Sequence, residues 1–77
     1  MDIGRRMAEA RQRKGMVQWR AANEIGVSET NLSRYERGER AVPKDIVVAA
    51  ARLYGDPQLL RADPVLAAAI DLARSAA

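Results

Sequence analysis

Short helical segments separated by stop signals are the feature that most constrains this fold. Glycines at positions 15, 26, 38 and 55 each follow a short run with apolar side chains at helical spacing. Two Asp-Pro pairs, Asp56-Pro57 and Asp63-Pro64, have the form of an N-cap followed by proline at the first helical position. No alternating apolar–polar run of strand type interrupts the series. The sequence therefore predicts an all-α chain.

Six helices follow from these signals. The predicted segments are residues 2–14, 18–25, 29–37, 44–54, 57–61 and 64–74. In the first, Ile3, Met7 and Ala10 share one face, and Ser28 is a suitable N-cap for the third. A chain of 77 residues has room for one domain with a modest core.

The residue inventory argues against several functions. The chain has no cysteine and no histidine, so disulfides, the usual zinc sites and the common nucleophile–base pairs are unavailable. We therefore expect no enzyme activity, no metal and no cofactor. No apolar run approaches the ~18 residues of a membrane span, and the first residues lack the apolar core of a secretory signal. The expected location is the cytoplasm, in association with the nucleoid.

Positive charge is concentrated in the first half of the chain. Residues 1–44 contain ten Lys or Arg and six Asp or Glu, whereas residues 45–77 contain three Arg and four Asp. This asymmetry indicates a phosphate-facing side and a separate packing side. An ordinary solvated basic surface would have the same charge pattern, so charge alone does not decide between them.

The third predicted helix presents a polar, basic face. At ~100° per residue, Leu32, Tyr35 and Glu36 point toward the body of the protein. The opposite face is formed by Thr30, Ser33, Arg34 and Arg37, with Glu29 at its N-terminal edge. Arginine can fork onto guanine, hydroxyls can donate or accept, and glutamate can accept from a cytosine amino group. Taken alone, the same face could simply be solvated.

The spacing of the second and third helices favours DNA. Two short helices joined by a tight turn at Gly26 form a helix-turn-helix unit. The start of the first helix, at Gln18, can point its free N–H groups at a phosphate. The second helix can then lie in the major groove.

On these residues the sequence resembles the lambda-repressor-like, or Cro/XRE-type, helix-turn-helix family. The matching positions, spread over about residues 3–60, are Arg11, Gly15-Met16-Val17-Gln18, Ala22, Gly26-Val27-Ser28, Leu32-Ser33-Arg34-Tyr35-Glu36-Arg37-Gly38 and Pro43. The resemblance implies a compact five-helix domain that binds operator DNA as a dimer. Residues 1–62 would form this domain, and residues 63–77 an additional C-terminal helix.

The resemblance also implies the roles of individual residues. The positions that read bases would be Glu29, Thr30, Ser33 and Arg34. The positions that contact phosphate would be Arg11, Gln18, Arg37, the backbone N–H of Gly38, and Arg40. Arg11 and Glu36 match a structural ion pair of the family, and an inward-facing Glu36 needs a cation in any case.

Three positions depart from the family pattern. Val17 stands where Ser or Thr is usual, which removes a cap worth ~1 kcal/mol from the second helix. Ala21 is smaller than the usual aliphatic residue, and Trp19 replaces a polar one. Trp19 has two interpretations: its indole covers the gap at Ala21 and extends the core, or it contacts DNA or a partner protein.

The C-terminal helix has an apolar stripe formed by Leu66, Ala69, Ile70 and Ala73. The stripe can pack back on the first and fourth helices or pair with its twin in a second chain. A single module reads few base pairs, so a homodimer on an inverted repeat is expected.

These observations predict a sequence-specific double-stranded DNA-binding transcriptional regulator, and more narrowly a repressor. The alternative is a protein-interaction module on the same fold, or an antitoxin-type partner protein. In that case a second protein would bind at Trp19 or at Leu66 and Ile70.

Overall fold

A computed structural model describes residues 2–76 of the chain, and every regular element in that range is a helix. The prediction of an all-α fold is therefore confirmed. The helices are α1 (Ile3–Lys14), α2 (Gln18–Ile25), α3 (Glu29–Glu36), α4 (Lys44–Tyr54), α5 (Gln58–Ala62) and α6 (Pro64–Ala76). Across residues 2–76, each helix is too short or too polar to span a lipid bilayer.

The helix ends lie within one or two residues of the predicted positions. Helices α2 and α4 have the predicted bounds. Asp2 is the N-cap of α1 rather than its first residue, since its Oδ1 accepts the Gly4 N–H at 3.0 Å. Arg37 is the C-cap of α3, one residue beyond the helix. Helix α5 begins and ends one residue later than predicted, and α6 continues two residues further.

The core is made by large side chains from four helices and small ones from α2. Met7, Leu32, Val47 and Leu59 are fully buried and come from α1, α3, α4 and α5. Each contributes about 1.5–3 kcal/mol through the apolar surface it removes from water. Helix α2 contributes alanines, Ala21 and Ala22, both of which are also fully buried. Small residues there allow α2 to lie close to α3 and α4.

Trp19 lies outside this core. Its side chain is 61% exposed, so the interpretation in which the indole covers Ala21 is wrong. Two residues along a helix place these side chains about 160° apart, and Ala21 occupies the buried side. The short α2 therefore cannot direct both side chains inward. Ala21 is enclosed by the neighbouring helices instead.

Helix α6 has two apolar faces, and only Leu66 and Ile70 of the predicted stripe lie on the inner one. It packs on α5, and Leu66 lies against the core. Ile70 is half-buried, but Ala69 and Ala73 are exposed, so the four residues do not form one buried face. The outward face carries Val65 and Leu72, the latter 73% exposed. The stripe therefore does not pack back on α1 and α4 as a whole: Leu66 contacts the core and α5 is the main neighbouring helix, while pairing with a second chain stays a prediction.

Helix α1 crosses α3 in direct backbone contact at Gly4. This residue is buried, and a Cβ placed on it would overlap the carbonyl oxygen of Tyr35. The obstacle is backbone rather than a flexible side chain, so it cannot move aside locally. Gly4 thus sets the distance between the start of α1 and the end of α3.

We expect Gly4→Ala to destabilise the protein, although alanine is favoured over glycine in helices by about 1 kcal/mol. At this position the added methyl group would overlap backbone atoms, which should outweigh the helix preference and lower the free energy of unfolding by about 1–3 kcal/mol or more. Urea unfolding followed by far-ultraviolet circular dichroism measures the change. Gln12→Ala, at an exposed position of the same helix, is the control and should stay near wild type. A Gly4→Ala variant as stable as wild type would contradict the rigid crossing.

Candidate nucleic-acid interface

The orientation of α3 follows from its cap and its two buried side chains. Ser28 Oγ accepts the Asn31 N–H at 3.0 Å and so fixes the start of the helix. Leu32 and Tyr35 are buried on the inner side. The outer side then presents the residues predicted to read bases, and of these Glu29, Thr30 and Arg34 are exposed and Ser33 is half-buried.

A nearly buried ion pair ties α3 to α1. Arg11 Nε donates to Glu36 Oε2 at 2.8 Å, and its second terminal nitrogen donates to Oε1 at 3.1 Å. The side chains are only 13% and 5% exposed. The remaining terminal nitrogen of Arg11 donates to the Met16 carbonyl oxygen at 2.8 Å, just before α2. Hydrogen bonding to the Glu36 carboxylate raises the pKa of Arg11, so the guanidinium stays charged.

Gln18 joins the same network from α2. Its Nε2 donates to Glu36 Oε1 at 2.9 Å. The sequence placed Gln18 at the helix start, and the structure adds that its amide is held by α3. Val17 provides no side-chain cap, and the first helical hydrogen bond of α2 runs from the Ala21 N–H to the Val17 carbonyl. The backbone N–H groups that precede Ala21 have no helical acceptor and are available to an anion.

A shallow groove lies between the start of α2 and the outer face of α3. Its volume is about 290 Å³. The residues that line it are Gln18, Glu29, Thr30, Ser33 and Arg37. The fold therefore brings together one predicted phosphate-contacting residue of α2 with three of the predicted base-reading positions. Arg34 and Arg40 lie outside this groove.

The three arginines at the end of α3 have different surroundings. Arg37 donates to Ser33 Oγ at 2.6 Å and to both carboxylate oxygens of Glu39, at 2.6 and 3.3 Å. Arg40 donates to Asn31 Oδ1 at 3.3 Å. Arg34 is exposed and donates no side-chain hydrogen bond to residues 2–76.

Glu39 is a member of this interface that the sequence did not reveal. Its hydrogen bond from Arg37 and the nearby charges of Arg37 and Arg34 lower the pKa of Glu39. The same hydrogen bond raises the pKa of Arg37. Residues two apart do not face each other on a helix, so helical periodicity gives no signal for this pair. The Arg-Gly-Glu order at a predicted helix end was the available signal.

The backbone of the turn explains how Glu39 reaches Arg37. Gly38 has φ 73°, a left-handed conformation that reverses the chain after α3. The Gly38 N–H donates to the Tyr35 carbonyl at 3.1 Å, and the Glu39 N–H donates to the Arg34 carbonyl at 3.0 Å. These two bonds form the paired closure typical of helix C-termini. The Gly38 N–H, predicted to contact phosphate, is thus already used within the chain.

Tyr54 lies beside the Arg11–Glu36 pair without joining it. Its hydroxyl is buried and has no hydrogen-bond partner in residues 2–76. Burial raises the pKa of Tyr54 to about 12, with the Glu36 carboxylate adding to the effect and the Arg11 guanidinium opposing it. The hydroxyl is therefore a buried polar group without compensation, which is a destabilising arrangement.

Comparisons with known proteins agree with this arrangement. A family model described as a helix-turn-helix domain matches residues 2–64. The chain is similar to the HTH-type transcriptional regulator ImmR of Bacillus subtilis (strain 168), with 39% identity over 54 residues. That alignment covers 70% of this chain but only 42% of the relative, so the chain spans less than half of that protein's length. No solved structure gives a significant match.

We expect Tyr54→Phe to be neutral or stabilising, because it removes an unpartnered hydroxyl while keeping the ring. Its effect should grow at high pH. Between pH 10 and 12 the unfolded wild-type chain loses the phenolic proton while the folded chain retains it, so wild-type stability falls as pH rises. The variant lacks this contribution and should lose less stability. Urea unfolding at pH 8 and pH 11 measures both effects, and a strongly destabilised variant at pH 8 would reveal a hydrogen bond to the hydroxyl.

Proposed function

Because this chain belongs to the Cro/XRE-type helix-turn-helix family, we propose that it is a transcriptional regulator that binds specific double-stranded DNA sites. In this proposal α3 lies in the major groove and the start of α2 faces a phosphate. The observation that carries the proposal is the outward face of α3. It presents an exposed, unengaged Arg34 next to the groove that contains Gln18, Thr30 and Ser33.

Base recognition falls to four side chains of α3. Arg34 can donate two parallel hydrogen bonds to the O6 and N7 atoms of guanine. Ser33 accepts from Arg37, which leaves its hydroxyl proton available for a base acceptor. Thr30 and Glu29 lie one turn earlier, where Glu29 can accept from a cytosine amino group.

Phosphate contacts fall to residues around this face. Arg37 is the C-cap of α3, and Arg40 lies just beyond it. Gln18 and the free N–H groups of α2 lie on the other side of the groove. The Gly38 N–H can contribute only as a shared donor, since it already bonds Tyr35. Arg11 uses three N–H groups within the chain and is 13% exposed, so we assign it mainly to positioning.

We further propose that the protein acts as a homodimer on an inverted repeat and represses transcription by occupying its operator. One domain reads few base pairs, and a two-fold dimer doubles the site. The outward face of α6 is the surface suited to a second copy, since Val65, Ala68, Ala69 and Leu72 are exposed at helical spacing. A protein with this function would work in the cytoplasm, on the nucleoid.

An alternative function is supported by a different surface. Trp19 and Val17 are both more than half exposed at the start of α2. Exposed aromatic side chains are enriched at protein interfaces. An antitoxin-type or other protein-interaction role would use this patch, and the same fold can serve it. Failure to retain any DNA at low salt would favour this alternative.

The direct experiment is selection from a pool of random duplex DNA, followed by measurement of the dissociation constant at several salt concentrations. Enrichment of an inverted repeat, with half-sites about one DNA turn apart, would support the dimeric operator model. Affinity should fall steeply with salt because phosphate contacts release counterions. Retention without any preferred sequence would contradict specific recognition.

Arg34→Ala and Arg40→Ala should separate base reading from phosphate contact. Arg34→Ala should cost about 1–3 kcal/mol on the selected site and relax the preference at one base pair. Arg40→Ala should weaken selected and random DNA alike and reduce the salt slope by about one. Equal losses on all sequences for Arg34→Ala would remove it from base reading. An unchanged salt slope for Arg40→Ala would remove it from phosphate contact.

Leu72→Asp tests the dimer surface. The change places a charge on the outward face of α6 and should shift the protein to monomer in sedimentation velocity, with weakened binding to the inverted repeat but little change on a half-site. Leu66 is unsuitable for this test because it packs against the core. Gln12→Glu adds the same charge at an exposed residue of α1, outside α6 and outside the residues proposed to contact DNA, and is the control. A Leu72→Asp variant that stays dimeric would place the interface elsewhere.

A further inference from the structure

The guanidinium of Arg37 is already paired with an anion of the same chain. Both carboxylate oxygens of Glu39 accept from it, at 2.6 and 3.3 Å, and a third contact goes to Ser33 Oγ at 2.6 Å. Both side chains of the ion pair remain about half exposed, at 56% and 53%. The pair is thus accessible to an incoming ligand and can be exchanged without unfolding.

The carboxylate of Glu39 resembles a DNA phosphodiester as a hydrogen-bonding partner for Arg37. Both groups present two anionic oxygens to the planar donor fork of arginine, and both are bound in the same bidentate manner. The backbone of Glu39 is also fixed beside Arg37, since its N–H is bonded to the Arg34 carbonyl in the closure of α3. The chain therefore holds a carboxylate at the end of the face proposed to meet DNA.

We propose that Glu39 competes with DNA phosphate for Arg37, so that each binding event must first displace an internal carboxylate. This inference rests on the proposed function, and it adds a residue that sets the strength of DNA binding. Because phosphate contacts are independent of sequence, the competition lowers affinity for all DNA. Base contacts then supply a larger share of the remaining affinity, which restrains binding to random sequence.

The competition has a signature in salt dependence. When Arg37 leaves Glu39 for a phosphate, the freed carboxylate keeps its negative charge beside the DNA. Arg37 and Glu39 together bring no net charge to the DNA, so the Arg37 contact releases few counterions and adds little to the salt slope. With a neutral residue at position 39, the same contact would add about 0.9 to the slope.

The first experiment measures binding of wild type and Glu39→Gln to the selected site and to random duplex across a salt series. The variant should bind both DNAs about two- to five-fold more tightly at low salt, with a slope steeper by about one. Glu24→Gln is the matched control, because it removes the same charge from an exposed residue on the α4-facing side of α2. This control should change the affinity less than Glu39→Gln does and leave the salt slope near the wild-type value.

A double-mutant cycle tests whether Glu39 acts through Arg37. In an Arg37→Ala background, Glu39→Gln should lose most of its tightening effect and its added slope. Circular dichroism on each variant establishes that the fold is retained.

Several outcomes would overturn the inference. Weaker binding by Glu39→Gln would mean that the carboxylate positions Arg37 for DNA instead of competing with it. An effect equal to that of Glu24→Gln, or one that persists without Arg37, would indicate general electrostatic attraction. If wild type binds DNA but Glu39→Gln changes neither the affinity nor the salt slope, only this inference fails. If wild type retains no DNA at low salt, the proposed function fails with it.

Discussion

The Arg11–Glu36 ion pair is the interaction on which the geometry of the interface depends. Removing two charges from water costs several kcal/mol per ion, and the mutual attraction offsets this only with good geometry and additional hydrogen bonds. Both conditions are met here: the guanidinium contacts both carboxylate oxygens, and Met16 and Gln18 supply the further bonds. A single point thereby connects α1, the start of α2 and the end of α3. Loss of either charge would leave its partner nearly buried and would release all three elements together.

Local signals in the sequence were sufficient for the helices but not for several contacts between them. Gly15, Gly26 and Gly55 each follow a helix end, and Ser28 caps α3 as its side-chain chemistry indicates. The inward direction of Glu36 was readable from periodicity and implied a nearby cation, and the family resemblance identified that cation as Arg11, 25 residues away in the sequence. Of the two interpretations of Trp19, the helical angle favours the exposed one, because Ala21 occupies the buried side of α2. The Arg37–Glu39 contact exists only after the chain reverses at Gly38, which no helical rule describes.

The arginines of the interface differ in the hydrogen-bond partners that their side chains have within the chain. The Arg34 side chain has no hydrogen-bond partner in residues 2–76, that of Arg40 has an amide oxygen, and that of Arg37 has a carboxylate and a hydroxyl. A side chain that is held in advance loses less conformational entropy when it binds, but it must give up the contact that holds it. Arg34 can bind DNA without breaking an internal side-chain contact, whereas Arg40 must release an amide oxygen and Arg37 a carboxylate. Charge counting along the sequence treats these three residues as equal, whereas their surroundings make them distinct.

The exposure of Trp19 has a consequence for how this protein can be observed. It is the only tryptophan of the chain, and it is already in water in the folded state, whereas the aromatic rings in the core are Tyr35 and Tyr54. Unfolding would transfer the indole from one aqueous environment to another, so its emission spectrum would change little as the core is lost. The same fluorophore, one residue after Gln18, would respond to any molecule that covers the start of α2. Indole emission is therefore a reporter of surface occupancy, whereas the folding transition is visible to probes of the helical backbone and of the two buried tyrosines.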